Sequence, residues 1–163
     1  MPRAPNRHIM FASDESDMTD NFYLCNLIAN VLWFGAGFWF FAIRRNTAAK
    51  LLVPRSARTS PIFLTLSSAL PFLGGMNLAF SCLAAMILFR RDLFVAPQEQ
   101  AILLIAFGTA HATQFLINVP VAIRGGRIGK SYWDVLKGTM LFIFVVDAVL
   151  TATNFACAAA LVS

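Results

Sequence analysis

Four long stretches without charged side chains restrict the fold of this chain more than any other feature. Residues 21–43, 59–89 and 100–123 contain no Asp, Glu, Lys or Arg, and residues 138–163 contain only Asp147. Each stretch is long enough to cross the hydrocarbon core of a bilayer as an α-helix, which takes about 20 residues. Strands of a membrane β-barrel would be about half as long and would alternate polar with apolar residues. These stretches do not alternate, so they predict transmembrane helices.

The composition agrees with a chain that lies in the membrane. Hydrophobic residues make up 58% of it and charged residues 13%, whereas soluble domains carry about 25% charged residues. We therefore predict an all-α integral membrane protein, a four-helix bundle, with a polar N-terminal tail (1–20) and a single transmembrane domain (21–163). The four transmembrane helices are expected at roughly 21–43, 61–89, 100–123 and 136–161.

The basic residues predict how the chain is oriented in the membrane. Nine of them lie in the segments 44–58 and 124–137, against four at the opposite ends of the helices. The positive-inside rule then places both segments in the cytoplasm and both termini on the non-cytoplasmic side. Because these residues flank membrane segments, the net charge of +5 indicates contact with the lipid bilayer and no nucleic-acid partner. The four residues on the opposite side are Arg3, Arg7, Arg90 and Arg91.

Proline and glycine mark the second transmembrane helix. Ser60 and Pro61 predict its start, with the serine as N-cap and the proline in the first turn. Pro71 is expected to bend it, because the ring removes one backbone hydrogen bond, and Gly74 and Gly75 permit another backbone to come close. A gating hinge and ordinary helix packing both remain open as interpretations.

Polar side chains fall at a common depth in three of the predicted helices. Counting about 1.5 Å per residue, Asn77, His111 and Asp147 lie near the middle of the membrane. Each has polar neighbours at helical spacing, and the first helix adds Asn26 and Asn30 in its outer half. We therefore predict a polar intramembrane seam that handles a proton or a ligand. Its members are Asp147, His111, Asn77, Gln114, Asn118, Thr151 and Asn154.

Asp147 is the strongest single signal within this predicted seam. A carboxylate at the centre of a transmembrane helix costs about 2.5–3.5 kcal/mol on insertion scales, and no helix offers a basic partner. His111 is the only titratable residue at its depth, and the alternatives are a protonated acid or hydrogen bonds from Asn, Gln and Thr. A proton-handling pair, a ligand anchor and simple interhelical hydrogen bonding all remain open.

Cofactor and enzyme signatures are weak. Ligation of a haem or pigment by His111 is conceivable, but the other histidine, His8, lies in the tail, so a haem would need a His–Met pair such as His111 with Met76. Zinc-ligand spacing, a nucleophile elbow and a phosphate-binding glycine loop are absent, so no catalytic or metal residue is predicted. The three cysteines form no C-x-x-C pair, which argues against thiol–disulfide chemistry, and they are expected to pack as small apolar groups.

Three functions are compatible with this sequence. The first is an accessory or structural subunit of a larger membrane complex, bound to other subunits or to itself through apolar faces. The second is a small transporter or proton pathway built on Asp147, His111 and Asn77. The third is a membrane enzyme or binding protein for an apolar, lipid-like molecule. A row of small residues in the last helix, expected to pack internally, would allow close helix approach: Ala148, Ala152, Ala156 and Ala160.

Overall fold

The computed structural model describes residues 7–128 and 131–163, and within them the protein is an all-α bundle. Four helical segments are long and apolar enough to cross a membrane, which makes this a small multi-pass membrane protein. Arg3 and Lys130, which contributed to the charge analysis, lie outside the described residues. The helices are α1 (Arg7–Phe38), α2 (Arg45–Leu52), α3 (Pro61–Phe89), α4 (Pro97–Ile123) and α5 (Gly138–Val162).

The predicted ends of the transmembrane helices agree with the structure except at the N-terminus. Helix α3 has the predicted bounds, and Ser60 accepts a hydrogen bond from the N–H of Ile62 as its N-cap. Helix α1 begins at Arg7 instead of near residue 21. Residues 7–34 contain neither proline nor glycine, so nothing in this segment interrupts the helical backbone.

Helix α1 does not end in a simple α-helical turn. It continues into a π-helical turn, Trp39–Ile43, which closes when the N–H of Arg44 donates to the carbonyl oxygen of Trp39. Beside this turn the chain passes very close to α3, since a Cβ built on Gly74 would lie 2.6 Å from the Cβ of Ala42. Only glycine permits that approach, and Pro71 lies one turn earlier inside the continuous helix.

The segment after this turn folds into the short helix α2, although the sequence predicted no helix between the first two transmembrane helices. Ala48 and Ala49 are buried and pack with Phe63 and Leu70 of α3. Arg58 closes the C-terminal end of α2, because its guanidinium donates to the carbonyl oxygens of Val53 (3.0 Å) and Lys50 (2.7 Å). The remaining polar residues of α2 are exposed, as in a helix that lies at a membrane surface.

The core of the bundle is aromatic. Helix α1 packs against α3 and α5, and α4 packs against α5. Phe34 lies in the middle, with ring centroids 5.1 Å from Phe80 of α3 and 6.0 Å from Phe107 of α4. A two-residue hairpin, β1 (Arg127–Ile128) paired antiparallel with β2 (Ser131–Tyr132), connects α4 to α5.

Two expectations about small residues were wrong. Of the three cysteines only Cys157 is buried, whereas Cys25 and Cys82 are exposed on the outer surface of the bundle. The alanine row of α5 does not serve internal packing, since Ala152, Ala156 and Ala160 are exposed. Asp147 and Asn154 already direct the opposite face of α5 into the core, so this row points outward.

Candidate functional site

His111 and Asp147 meet in the centre of the bundle. Nδ1 of His111 lies 3.2 Å from Oδ1 of Asp147, and both side chains are 0% exposed. One turn before the histidine, Gly108 lets α4 approach α5, because a Cβ there would lie 3.2 Å from the Cβ of Asn154. The interhelical pair is thus held by tight backbone packing as well as by hydrogen bonding.

Asn30 of α1 connects this pair to a second buried amide. Its Nδ2 donates to Oδ1 of Asn154 (2.9 Å) and to the carbonyl oxygen of Asn26 (2.7 Å), while its Oδ1 lies 3.0 Å from Nε2 of His111. Asn30, His111 and Asn154 are all fully buried. Three helices are therefore joined by one polar network, in which Asn30 is the central member.

Trp33 also belongs to this network, although it was not among the predicted residues of the seam. Its Nε1–H donates to Oδ1 of Asp147 at 2.9 Å. The indole also makes an edge-to-face contact with Phe142, with centroids 5.4 Å apart. A signal was present in the sequence, since Asn26, Asn30 and Trp33 follow each other at spacings of four and three and so share one helical face.

The environment of the His111–Asp147 pair is otherwise apolar. Phe34 stacks on the imidazole of His111, with ring centroids 4.5 Å apart and planes inclined by 16°. The second carboxyl oxygen of Asp147, Oδ2, is buried and has no hydrogen-bond partner among the described residues. A network optimised only for stability would satisfy this oxygen, because an unpaired buried acceptor is costly.

Thr151 and Asn154, predicted as companions of Asp147, use their donor groups within α5. The hydroxyl of Thr151 donates to the backbone carbonyl of Asp147 (2.7 Å), and Nδ2 of Asn154 donates to that of Leu150 (2.7 Å). Only Asn154 reaches another helix, as the acceptor for Asn30. Thr151 therefore stabilises the backbone near Asp147 but does not contact its carboxyl group.

The other three predicted seam residues, Asn77, Gln114 and Asn118, lie outside the network and line a cleft. Asn77 donates to the carbonyl oxygen of Leu73 (2.9 Å) in its own helix. Asn118 donates to the carbonyl oxygen of Gln114 (2.9 Å) and accepts from the indole of Trp133 (3.2 Å). The residues predicted to form one seam are therefore divided between two places, the buried hydrogen-bond network and the cleft.

This cleft has two adjoining compartments. The first, of about 170 Å³, is lined by Trp33, Asn77, Gln114 and Thr139 among mainly apolar side chains. The second, of about 260 Å³, reaches α2 and Trp133. Rim residues such as Phe142 are exposed on the lipid-facing surface. Both compartments share Phe40, Phe41, Gln114 and Ile143.

Haem ligation by His111 and Met76 does not fit this geometry. Both ring nitrogens of His111 already lie within hydrogen-bond distance of protein atoms, and Met76 is 59% exposed on the outside of α3. Within residues 7–128 and 131–163, no group of three His, Cys, Asp or Glu side chains is arranged to hold a metal ion.

Within the part of the chain that the structure describes, Trp33 is the one side chain that belongs to both sites. It donates to Asp147 in the network and lines the first compartment of the cleft. Only the indole of Trp33 would thus separate a ligand in the cleft from the buried carboxyl group of Asp147. No protein-family model, no curated protein and no solved structure matches the chain.

Proposed function

We propose that this small multi-pass membrane protein binds an apolar, lipid-like molecule in the cleft between α1, α3, α4 and α5. The observation that carries the proposal is the lining of the cleft, which is apolar except for a few polar groups. Sites for apolar ligands have this composition, with isolated polar groups that orient the ligand. Here those groups are Asn77, Gln114, Asn118 and Thr139.

The position of the cleft favours a ligand that enters from the bilayer. Exposed side chains at the rim, including Trp39 (52%) and Ile117 (65%), lie at membrane depth, so an acyl chain reaches the cleft without crossing water. At its other end the cleft meets α2, whose Arg45 and Lys50 are exposed. Basic side chains at a membrane surface attract anionic head groups.

Photo-crosslinking in lipid bilayers tests this proposal. We expect a fatty acid that carries a diazirine on its chain to label the cleft residues Trp33, Phe40 and Ile143 in preference to the outer surface. Excess unlabelled fatty acid should compete for these positions. Uniform labelling of all lipid-facing residues, without competition, would contradict the proposal.

A pair of tryptophan substitutions provides the matched control. Ala36 lines the cleft, so Ala36→Trp should fill it and reduce specific labelling at least about tenfold, since every 1.4 kcal/mol of lost binding is a factor of ten. Ala79 is exposed on α3 and lies outside the described lining of the cleft, so Ala79→Trp should leave labelling unchanged.

A second candidate function is an accessory subunit of a larger membrane complex. The observation that favours it is the outward row Ala152, Ala156 and Ala160, which would let a helix of another subunit come close to α5. Mass determination after purification in mild detergent tests it. We expect a stable complex that resists high salt, and Ala156→Phe should release the subunit.

A further inference from the structure

The hydrogen bonds of Asn30 determine which nitrogen of His111 carries a hydrogen. Asn30 Nδ2 has two N–H groups, and both are used, on the carbonyl oxygen of Asn26 and on Oδ1 of Asn154. Its Oδ1 can only accept. Nε2 of His111, at 3.0 Å from this oxygen, must therefore be a donor.

Once Nε2 is protonated, the contact between Nδ1 of His111 and Oδ1 of Asp147 has room for one more proton. Without a proton in this contact, the lone pairs of Nδ1 and Oδ1 would face each other at 3.2 Å, and the buried carboxylate of Asp147 would lack a counter-charge. With two protons in this contact, the imidazolium of His111 would face the neutral acid of Asp147, and the buried pair would carry a net positive charge. One proton makes the pair neutral, either as imidazolium with carboxylate or as imidazole with carboxylic acid.

Among the described side chains, no Lys, Arg, Glu or further Asp is ion-paired or hydrogen-bonded to the pair. Helix α1 presents Asn30, Trp33 and Phe34 to it, and these groups do not titrate. The buried polar residues of α3, which are Ser67, Asn77 and Ser81, do not titrate either. The other ionisable residues of the four membrane spans lie toward the ends of the spans or in other turns of the helices: Asp20, Tyr23, Cys25, Cys82, Glu99 and Cys157.

We propose that His111 and Asp147 form a one-proton site, in which a single proton lies between Nδ1 of His111 and Oδ1 of Asp147, and that Trp33 links this site to the cleft. Gain or loss of a proton would create a net charge in the middle of the membrane, which is strongly unfavourable. The link rests on the proposed function of the cleft. Because the indole of Trp33 both donates to Asp147 and lines the cleft, an occupant that moves it alters the hydrogen bonding of the carboxyl group.

Nitrogen NMR in bilayers tests the one-proton site directly, because the chain has only two histidines. In a His8→Gln protein with ¹⁵N-labelled histidine, all signals come from His111. We expect Nε2 to carry a hydrogen and Nδ1 to show a strong hydrogen bond, as the contacts with Asn30 and Asp147 require. An Nε2 that carries no hydrogen, or an Nδ1 without a strong hydrogen bond, would overturn the proposal.

Asp147→Asn tests whether the proton is shared. The amide retains the shape of the carboxyl group but cannot ionise. We expect the Nδ1 signal to move to that of an unprotonated nitrogen in neutral imidazole, while Nε2 stays protonated. An unchanged Nδ1 signal would show that Asp147 takes no part in the proton site.

Two tryptophan variants test the link. Trp33→Phe should shift the Nδ1 signal, because Oδ1 of Asp147 loses a donor, whereas Trp39→Phe should not, since Trp39 lines the same cleft without bonding to Asp147. Equal spectra for the two variants would overturn the link.

Addition of the diazirine fatty acid should shift the same signal in the His8→Gln protein. Specific binding without a shift would refute the link and leave the cleft proposal intact, whereas absence of specific binding would refute the cleft proposal.

Discussion

At the residue scale, the role of Asn30 differs from that of its neighbour Asn26. Asn30 bonds to side chains of two other helices, whereas the side chain of Asn26 donates only to the carbonyl oxygen of Phe22 in α1. Both asparagines are buried and lie on the same helical face. Their substitutions therefore separate interhelical bonding from the general cost of removing a buried amide.

We expect Asn30→Ala to destabilise the bundle clearly more than Asn26→Ala. The first change leaves Nε2–H of His111 and Oδ1 of Asn154 without partners, and each orphaned group costs about 1 to 3 kcal/mol. The second removes one bond within a helix. Reversible unfolding in mixed detergent micelles measures both free energies, and equal values would mean that the network does not hold the helices together.

The residues of the site were only partly predictable from the sequence. Asp147 and His111 were identifiable because a buried acid and an imidazole at one depth are expensive in a bilayer unless they are paired. Trp33 was missed because its ring counts as apolar, although its one N–H makes the bond to Asp147. The division between network and cleft depends on helix rotation, which spacing along the chain does not determine.

At the element scale, α3 carries two adjacent glycines with different environments. A Cβ at Gly74 would collide with Ala42, whereas a Cβ at Gly75 would meet nothing within 4 Å. The glycine pair thus has one position that packing requires and one that it does not. The sequence showed the pair, but not which member faces the turn at Trp39–Ile43.

We expect Gly74→Val to lower the free energy of unfolding by about 1 to 3 kcal/mol, the usual cost of overpacking. Gly75→Ala should be neutral or stabilising by up to about 1 kcal/mol, because alanine is the better helix former. Unfolding in detergent provides the comparison, and equal losses for both variants would argue against the close approach of Ala42.

Apart from the start of α1 at Arg7, the bounds of the long helices were predictable because the bilayer selects charge-free segments of nearly fixed length, and α3 follows its prediction at both ends. Helix α2 was not predictable in the same way. Its eight residues include Arg45 and Lys50 and resemble a loop in composition. It is helical because Ala48 and Ala49 have an apolar surface to pack against, which is a tertiary effect.

At the scale of the whole molecule, the charge asymmetry predicts the direction of the chain across the membrane. The predicted cytoplasmic end of the bundle carries α2 and the mouth of the cleft beside it. In this predicted orientation, the proposed ligand of the cleft enters from the cytoplasmic leaflet. A cleft that opens to the cytoplasmic leaflet therefore requires α2 to lie on the cytoplasmic side of the membrane.

Cysteine labelling of intact cells tests the topology. In a background without Cys25, Cys82 and Cys157, we expect Val95→Cys to react with an impermeant maleimide from outside and Ser56→Cys to react only after permeabilisation. Both positions are exposed, so access to the reagent depends on the side of the membrane. The reverse pattern would invert the orientation and move the cleft to the other leaflet.

The position of the π-helical turn determines where α1 tolerates the deletion of a single residue. The turn lies at the C-terminal end of α1, after Asn30 and Trp33, so removal of one residue from Trp39–Ile43 leaves the rotation of these network residues unchanged. Removal of a residue near Ile28 instead turns Trp33 by about 100° relative to the preceding part of α1. In a library of single-codon deletions we expect folded protein to survive deletions at 39–43 and to be lost by those at 24–34.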